Sequence, residues 1–315
     1  MRKIQLIKVK SELGAGTRGA SLGIDAIKIA ALDFGSRFFK QYPSVEVPNE
    51  NHLLFEPYGS PYAKRISGIL TICERVAGEV HKTFDSKRFP VILAGDHSSA
   101  AGTIAGIRKA FPKQRLGVIW VDAHADIHSP YTSPTGNMHG MPIAISLNED
   151  NLPNKVNQPD QETLNYWFQL KNLGGIAPKI NPQDLVYIGV RDIESSEYSL
   201  LKRNKIKNIT VSNFRKLGAE RIISDITNYL DQCDLIYLSF DVDSMDSAIS
   251  RGTGTPVPNG FTEREAGNLV ARLCAHPKIC CFEIVEVNPT LDTENLMAEN
   301  SYEILVRATN ALTND

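Results

Sequence analysis

Residues 117–126 read GVIWVDAHAD: an apolar run rich in β-branched and aromatic side chains, then Asp122, His124 and Asp126 with alanines between them. A run this short fits a strand covered on both faces, as the strands of parallel sheets are. The pattern of an apolar run ending in polar residues recurs four times. ILAG gives way to DHS at 92–98, VYIGV to RDIE at 186–194, YLSF to DVDSMD at 237–246, and CFEIV to EVNP at 281–289. Five strands that release acidic or histidine side chains at their carboxyl ends set those groups along one edge of an open α/β sheet, where such folds bind ligands.

Working outward, the expected strands are Ile4–Val9, Phe89–Leu93, Gly117–Val121, Leu185–Val190, Leu235–Phe240 and Ile279–Val285, with Leu53–Phe55 and Ile206–Val211 as weaker candidates. Helix-like segments lie between them, notably Ala63–Thr83, Ser99–Ala110, Ala219–Leu230 and Thr262–Ala275. This is the βαβ alternation that builds a parallel sheet. Thr262 followed by Glu265 forms a capping-box pattern, and Ser98 or Ser99 is the corresponding cue after GDHS. Segment 146–181, rich in Asn, Pro, Gln and Lys, is expected as a surface excursion near the site mouth, with a short helix around Thr163–Leu170. The run 301–315 reads as a final amphipathic helix. There is no internal repeat, and a single domain over 1–315 is the expected organisation.

Bulk composition narrows the function classes. With 34 basic against 36 acidic residues and no dense block of either sign, the chain carries no electrostatic footprint for nucleic acid or an anionic membrane. No window has the roughly 18 continuous apolar residues of a membrane span, and the amino terminus lacks a signal-peptide pattern; a cytoplasmic protein is expected. Five cysteines are an odd count, and Cys280 and Cys281 in ICCFEIV read as buried strand thiols.

If the chain stays extended past residue 121, a period of two points Asp122, His124 and Asp126 the same way, and Asp241 and Asp243 likewise. A lone DxD is commonly an exposed turn. Two such clusters at strand ends, with His97 supplying a second imidazole from a third strand, crowd carboxylates at a cost that a cation relieves. Mixed carboxylate and imidazole donors suit manganese, cobalt, nickel, iron or zinc, and the absence of cysteine near the cluster argues against a sulfur-rich zinc site. Six ligands suit two ions sharing bridging carboxylates, typically about 3.5–4 Å apart, an arrangement that lowers the pKa of a bound water for hydrolysis at carbon or phosphorus.

In order and spacing, GTRGASLGIDAIK, GDHS, DAHAD, NMHG, RDIE, SFDVDSMD, TGTP and EVNP together resemble the ureohydrolase family, the arginase and agmatinase group, over nearly the whole chain. The resemblance implies a three-layer α/β/α fold with a largely parallel central sheet, and a binuclear manganese centre that hydrolyses guanidinium-type groups to urea and an amine. It implies His97 and Asp126 as terminal ligands of one ion, His124 and Asp243 of the other, and Asp122 and Asp241 as bridges. Asp126 would also hold a bridging hydroxide that attacks the guanidinium carbon. His139 would relay a proton to the leaving amine, and Glu286 would hold the guanidinium by charge-assisted hydrogen bonds. Read without the family, His139 could be a loop or core histidine and Glu286 a structural strand-end acid. A homo-oligomer, trimer or hexamer, is also implied.

Local texture leans towards arginase, hence L-arginine to L-ornithine and urea. Ser133, Thr135 and Asn137 lie in the SPYTSPTGNMHG loop, where hydroxyls of such enzymes contact the substrate carboxylate; Glu194 stands where an aspartate helps recognise the α-ammonium. His128 departs from the usual asparagine, Glu194 is one methylene longer than usual, Ser244 replaces a glycine and Ser247 a proline. Agmatine, another guanidino acid and formimidoylglutamate remain open as substrates, and a metal-braced binding protein is the non-enzymatic alternative. Arg18, Arg191 and Arg251 read as pocket-lining or subunit-contact groups, or as solvated or salt-bridged surface arginines.

Overall fold

The computed structural model describes residues 2–313. Its strands are β1 (Ile4–Val9), β2 (Ser44–Val47), β3 (Phe89–Ala94), β4 (Leu116–Val121), β5 (Leu185–Ile188), β6 (Lys207–Ile209), β7 (Leu235–Asp241) and β8 (Ile279–Val285). They form one 8-stranded sheet in the order β2-β1-β3-β8-β7-β4-β5-β6, with every pairing parallel. Parallel neighbours need crossover connections, and helices supply them: α1 (Gly23–Asp33), α2 (Phe38–Gln41), α3 (Ile66–Asp85), α4 (Ala100–Ala110), α5 (Pro142–Leu147), α6 (Gln161–Lys171), α7 (Ser195–Asn204), α8 (Val211–Leu217), α9 (Ala219–Tyr229), α10 (Glu263–Cys274) and α11 (Leu296–Thr313).

Helices cover both faces, which is why β3, β4 and β8 are buried at every position. On one face Val118, Trp120, Tyr187 and Tyr237 pack with Ile69 and Ile72 of α3 and Ile104 of α4. On the other, Ile119, Val121, Leu238 and Phe240 pack with Ile226 of α9, Leu269 of α10 and Leu305 of α11. The fold is a three-layer α/β/α sandwich.

The local cues meet the structure unevenly. Thr262 caps α10 as expected: its hydroxyl accepts from Glu265 N at 3.1 Å, and the Glu265 carboxylate accepts from Thr262 N at 2.9 Å. After GDHS, Ser99 stands at the N-cap of α4 as expected but makes no side-chain cap bond; the side-chain cap belongs to Asp96, which precedes the 3-10 turn His97–Ser99 and accepts from Ser98 N at 2.9 Å. Leu53–Phe55 is not a strand but part of a 3-10 turn over Asn51–Phe55, and the edge position belongs to Ser44–Val47. In the 146–181 segment, Trp167 and Leu170 of α6 are buried in the core layer that holds α3 and α4, and Trp167 Nε1 donates to Asp150 at 2.7 Å. The five cysteines are buried and unbridged. Residues 314–315 of the expected final helix lie outside the described residues.

Candidate metal centre

The sheet order sets the carboxyl ends of β3, β8, β7, β4 and β5 side by side, so the five polar motifs share one edge. The local mechanism in DAHAD differs from simple alternation. β4 stops at Val121, the chain bends through Asp122–His124, and Asp126 takes a positive φ of 49°. Hydrogen bonds hold this bend in place of a strand ladder: Asp122 Oδ1 accepts from His124 N at 2.7 Å, Asp243 Oδ1 from Ala123 N at 3.1 Å, and Tyr187 donates to Ala125 O at 2.6 Å. Asp241 ends β7, and its carboxylate accepts from Asp243 N at 2.8 Å across the 3-10 turn Val242–Ser244. The departure at Ser244 is accommodated because its hydroxyl donates to Asp241 O at 2.6 Å.

His97 Nδ1 lies 3.1 Å from Asp122 Oδ2, 3.1 Å from Asp126 Oδ2 and 3.2 Å from Asp241 Oδ2. His124 Nδ1 lies 2.9 Å from Asp243 Oδ2 and 3.5 Å from Asp122 Oδ1. Two ligand groups result, His97–Asp122–Asp241 and Asp122–His124–Asp243, with donor atoms in each within 4.8 Å of one another and Asp122 common to both. A shared carboxylate between two ligand sets is the pattern of a two-metal site.

The residues fit divalent cations on two counts. His97 Nδ1 and Asp122 Oδ2 are buried polar atoms with no hydrogen-bond partner, a costly condition that a cation between them removes. The electrostatics agree. Burial and the charge of Asp122 push Asp126 up to about 7, and burial with the charges of Asp243 and Asp122 pushes Asp241 well above the carboxylate range. Burial would raise Asp122 as well, but the adjoining imidazoles of His124 and His97 outweigh it and hold Asp122 well below. Burial opposes charge on His97 and His124, yet the surrounding carboxylates raise both. The donor set is oxygen and imidazole nitrogen, as hard and borderline divalent ions prefer.

Beside this cluster, Glu286 is buried at φ 68° directly after β8. Its Oε1 accepts from His97 N at 2.9 Å and lies 3.1 Å from His139 Nδ1. Burial lowers His139, but Glu286 and the charges of Asp126 and Asp96 outweigh it and bring it to about 9. A cavity of about 240 Å³ joins His97, His124, Asp126, Asp241 and Asp243 to His139 and to a second group, His128, Ser133, Thr135, Asn137 and Glu194. Within that second group the His128 ring lies between Thr132 Oγ1, at 3.1 Å, and the carboxylates of Glu194 and Glu197, at 3.5 and 3.6 Å.

The arginase family model matches residues 2–309. The chain is 34% identical to an arginase of Bacillus subtilis (strain 168) over 305 residues, 96% of each chain, and 34% identical to one of Bacillus caldovelox over 303 residues, 95% of each. The chain belongs to the arginase family. The native structure of the Bacillus caldovelox arginase superposes with a TM-score of 0.84 at 32% identity, covering 100% of this chain and 99% of that one. The chain is therefore an arginase-family hydrolase with a two-metal His/Asp site.

Against this family frame, every residue expected at the site lies at the shared edge, but not all line the cavity. Asp122 and Glu286 are buried beside it, at 1% and 2% exposed, whereas the other expected residues line it. Sequence reading missed several residues that do line it: Asp192, Glu197 and Thr255. Thr255 donates to Asp243 Oδ2 at 3.1 Å, and Glu197 accepts from Glu194 N at 3.1 Å and Ile127 N at 3.4 Å. Burial pushes Glu197 up to about 7. Thr255 had a signal in TGTP. Glu194 with Glu197 forms a capping box for α7 with glutamate at the cap, where the usual search expects Ser or Thr.

Proposed function

We propose that the chain hydrolyses L-arginine to L-ornithine and urea at a pair of manganese ions, with cobalt, nickel or iron as possible substitutes. The observation that carries this reading is the continuity of one cavity from the His/Asp cluster to the hydroxyl, amide and acidic side chains of Ser133, Thr135, Asn137 and Glu194. That cavity can take a guanidinium at one end and an amino-acid head group at the other. The arginase relatives at 34% identity support the same substrate.

His97, Asp122, His124, Asp126, Asp241 and Asp243 would hold the ions, Asp122 being common to both ligand groups. Bound there, two divalent ions supply a water acidic enough to act as a nucleophile near neutral pH, together with positive charge for the developing transition state. Glu286 has one carboxylate oxygen engaged by His97 N and His139; its other oxygen is free for a guanidinium N–H in a charge-assisted bond. Asp126 takes up the proton of the attacking water. His139, its Nδ1 held by Glu286, delivers a proton from Nε2 to the departing amine. Ser133, Thr135, Asn137 and His128 orient the carboxylate of the substrate, and Glu194 its ammonium end. A homo-oligomer in the cytoplasm completes the proposal; no helix among the described residues is long and apolar enough to cross a membrane.

The test is urea release by the manganese-loaded protein from L-arginine, agmatine, 4-guanidinobutyrate and 3-guanidinopropionate in parallel, with formamide release followed for formimidoylglutamate. Preference for L-arginine supports the proposal. Preference for any other substrate reassigns the outer pocket and rejects the arginine reading.

A further inference from the structure

Lys64 stands just before α3, in none of the motifs and not among the residues that line the cavity, yet its ammonium donates to Asn137 Oδ1 at 3.2 Å. The segment that carries it is fastened to the loop that carries Asn137. Lys64 N donates to Gly136 O at 2.8 Å. Gly136, at φ 71°, packs so closely on the same segment that a Cβ there would lie 2.0 Å from Pro61 O. Only glycine tolerates both that φ and that approach. The ammonium also lies 5.6 Å from the centre of the Tyr58 ring, a distance at which an aromatic face attracts a cation. Among the described residues Lys64 has no ion-pair partner, so its charge is not cancelled locally.

These contacts fix which way the Asn137 amide faces. An ammonium has donors only, so the amide atom turned toward it is the oxygen, and the NH2 group is turned away. Asn137 lines the cavity in its outer group, and its Nδ2 donates to nothing among the described residues. A Cβ at position 16 would stand 2.6 Å from Nδ2, so Gly16 leaves that NH2 group uncovered. A free NH2 group there can donate to a carboxylate and cannot accept from an ammonium. We propose that Lys64 is a positioning residue, acting through Asn137, that selects guanidino substrates bearing a carboxylate at the end away from the guanidinium. It acts in two ways. It holds the amide with its donors toward the cavity, and its uncancelled charge lies one amide group and two hydrogen bonds from the carboxylate, on the order of the 8 Å screening length at physiological salt. The proposal rests on the arginine reading and adds to it a group that discriminates against agmatine, which has no carboxylate.

The test measures urea release by the manganese-loaded full chain from L-arginine, and the affinity of agmatine from its own turnover or from its inhibition of L-arginine hydrolysis. Lys64→Met keeps the backbone bond to Gly136 and removes the ammonium. It should raise KM for L-arginine about 3- to 10-fold, with kcat within about twofold, and leave agmatine affinity within about twofold of the wild type or tighter. Lys64→Arg, which still donates to Oδ1, should hold KM for L-arginine within about twofold. An unchanged KM for L-arginine in Lys64→Met overturns the proposal. An equal loss of affinity for L-arginine and agmatine also overturns it, since a merely structural role in holding the 133–137 loop would give that result. A wild type that prefers another guanidino acid rejects the arginine reading alone, and the same comparison of that acid with agmatine then decides the role of Lys64. A wild type that prefers agmatine, or turns over none of these substrates, overturns both.

Discussion

Replacing Arg191 should cost the protein both stability and order at the metal edge, and the structure gives the scale. Its guanidinium donates to six backbone carbonyls: Pro258 at 2.9 Å, Gly189 at 3.1 Å, Ser244 at 3.3 Å, Asp243 at 3.0 Å, Met245 at 3.2 Å and Val257 at 2.8 Å. It is thus neither a pocket-lining group nor a solvated surface arginine; it ties the loop after β5 to the segment that carries Asp243. Three of these bonds are 3.0 Å or shorter. At about 1.5 kcal/mol for each bond from a charged donor, Arg191→Met should lose roughly 4 kcal/mol. Arg191→Lys keeps the charge but has three donors and no planar fork, so it should lose about half as much. Urea unfolding with chelator present, followed by circular dichroism, isolates this term from metal binding. If both variants unfold within about 0.5 kcal/mol of the wild type, a surface-like value, the carbonyl-clamp reasoning is wrong.

Other expectations follow from the same physics. Asp241→Asn removes a buried charge that Asp243 and Asp122 oppose, so at pH 8 the metal-free protein should become more stable, on the order of 1–3 kcal/mol, while manganese binding is lost; a less stable metal-free variant would contradict the charge-crowding account. Lys179 is buried, its ammonium donates to Leu170 O at 3.2 Å and Lys171 O at 2.6 Å, and burial lowers its pKa to about 8. Because the unfolded chain then holds the extra proton between pH 8 and 10.5, this group makes stability rise with pH across that window, by up to about 3 kcal/mol. Lys179→Met should flatten that rise in unfolding measured from pH 8 to 10.5, and identical slopes would refute the assignment. His128→Ala should raise KM for L-arginine about tenfold, about 1.4 kcal/mol, with kcat within about twofold, since the residue sits in the outer group of the cavity; a fall in kcat alone would put His128 at the chemistry instead.

The site was legible because its ligands follow apolar runs directly, so finding the strands also located the cluster. The arrangement inside the cluster was not. Asp122, His124 and Asp126 converge through a bend and a positive φ at Asp126, set by hydrogen bonds to Asp243 in the turn after β7 and from Tyr187 of β5. β2 escaped notice because SVEV at the sheet edge is mostly exposed and carries a glutamate, and edge strands favour such polar residues. Leu53–Phe55 shows the converse. Three apolar residues suffice for a strand pattern but also fit a 3-10 turn, and no local signal separates the two.

The most direct test of the account titrates the metal-free protein with manganese while bound metal per chain and urea release from L-arginine are measured on the same samples. Two ions per chain, with urea appearing only as the second site fills, is the result the account predicts. Saturation at a single ion, or no urea with manganese, cobalt, nickel or iron, would contradict it.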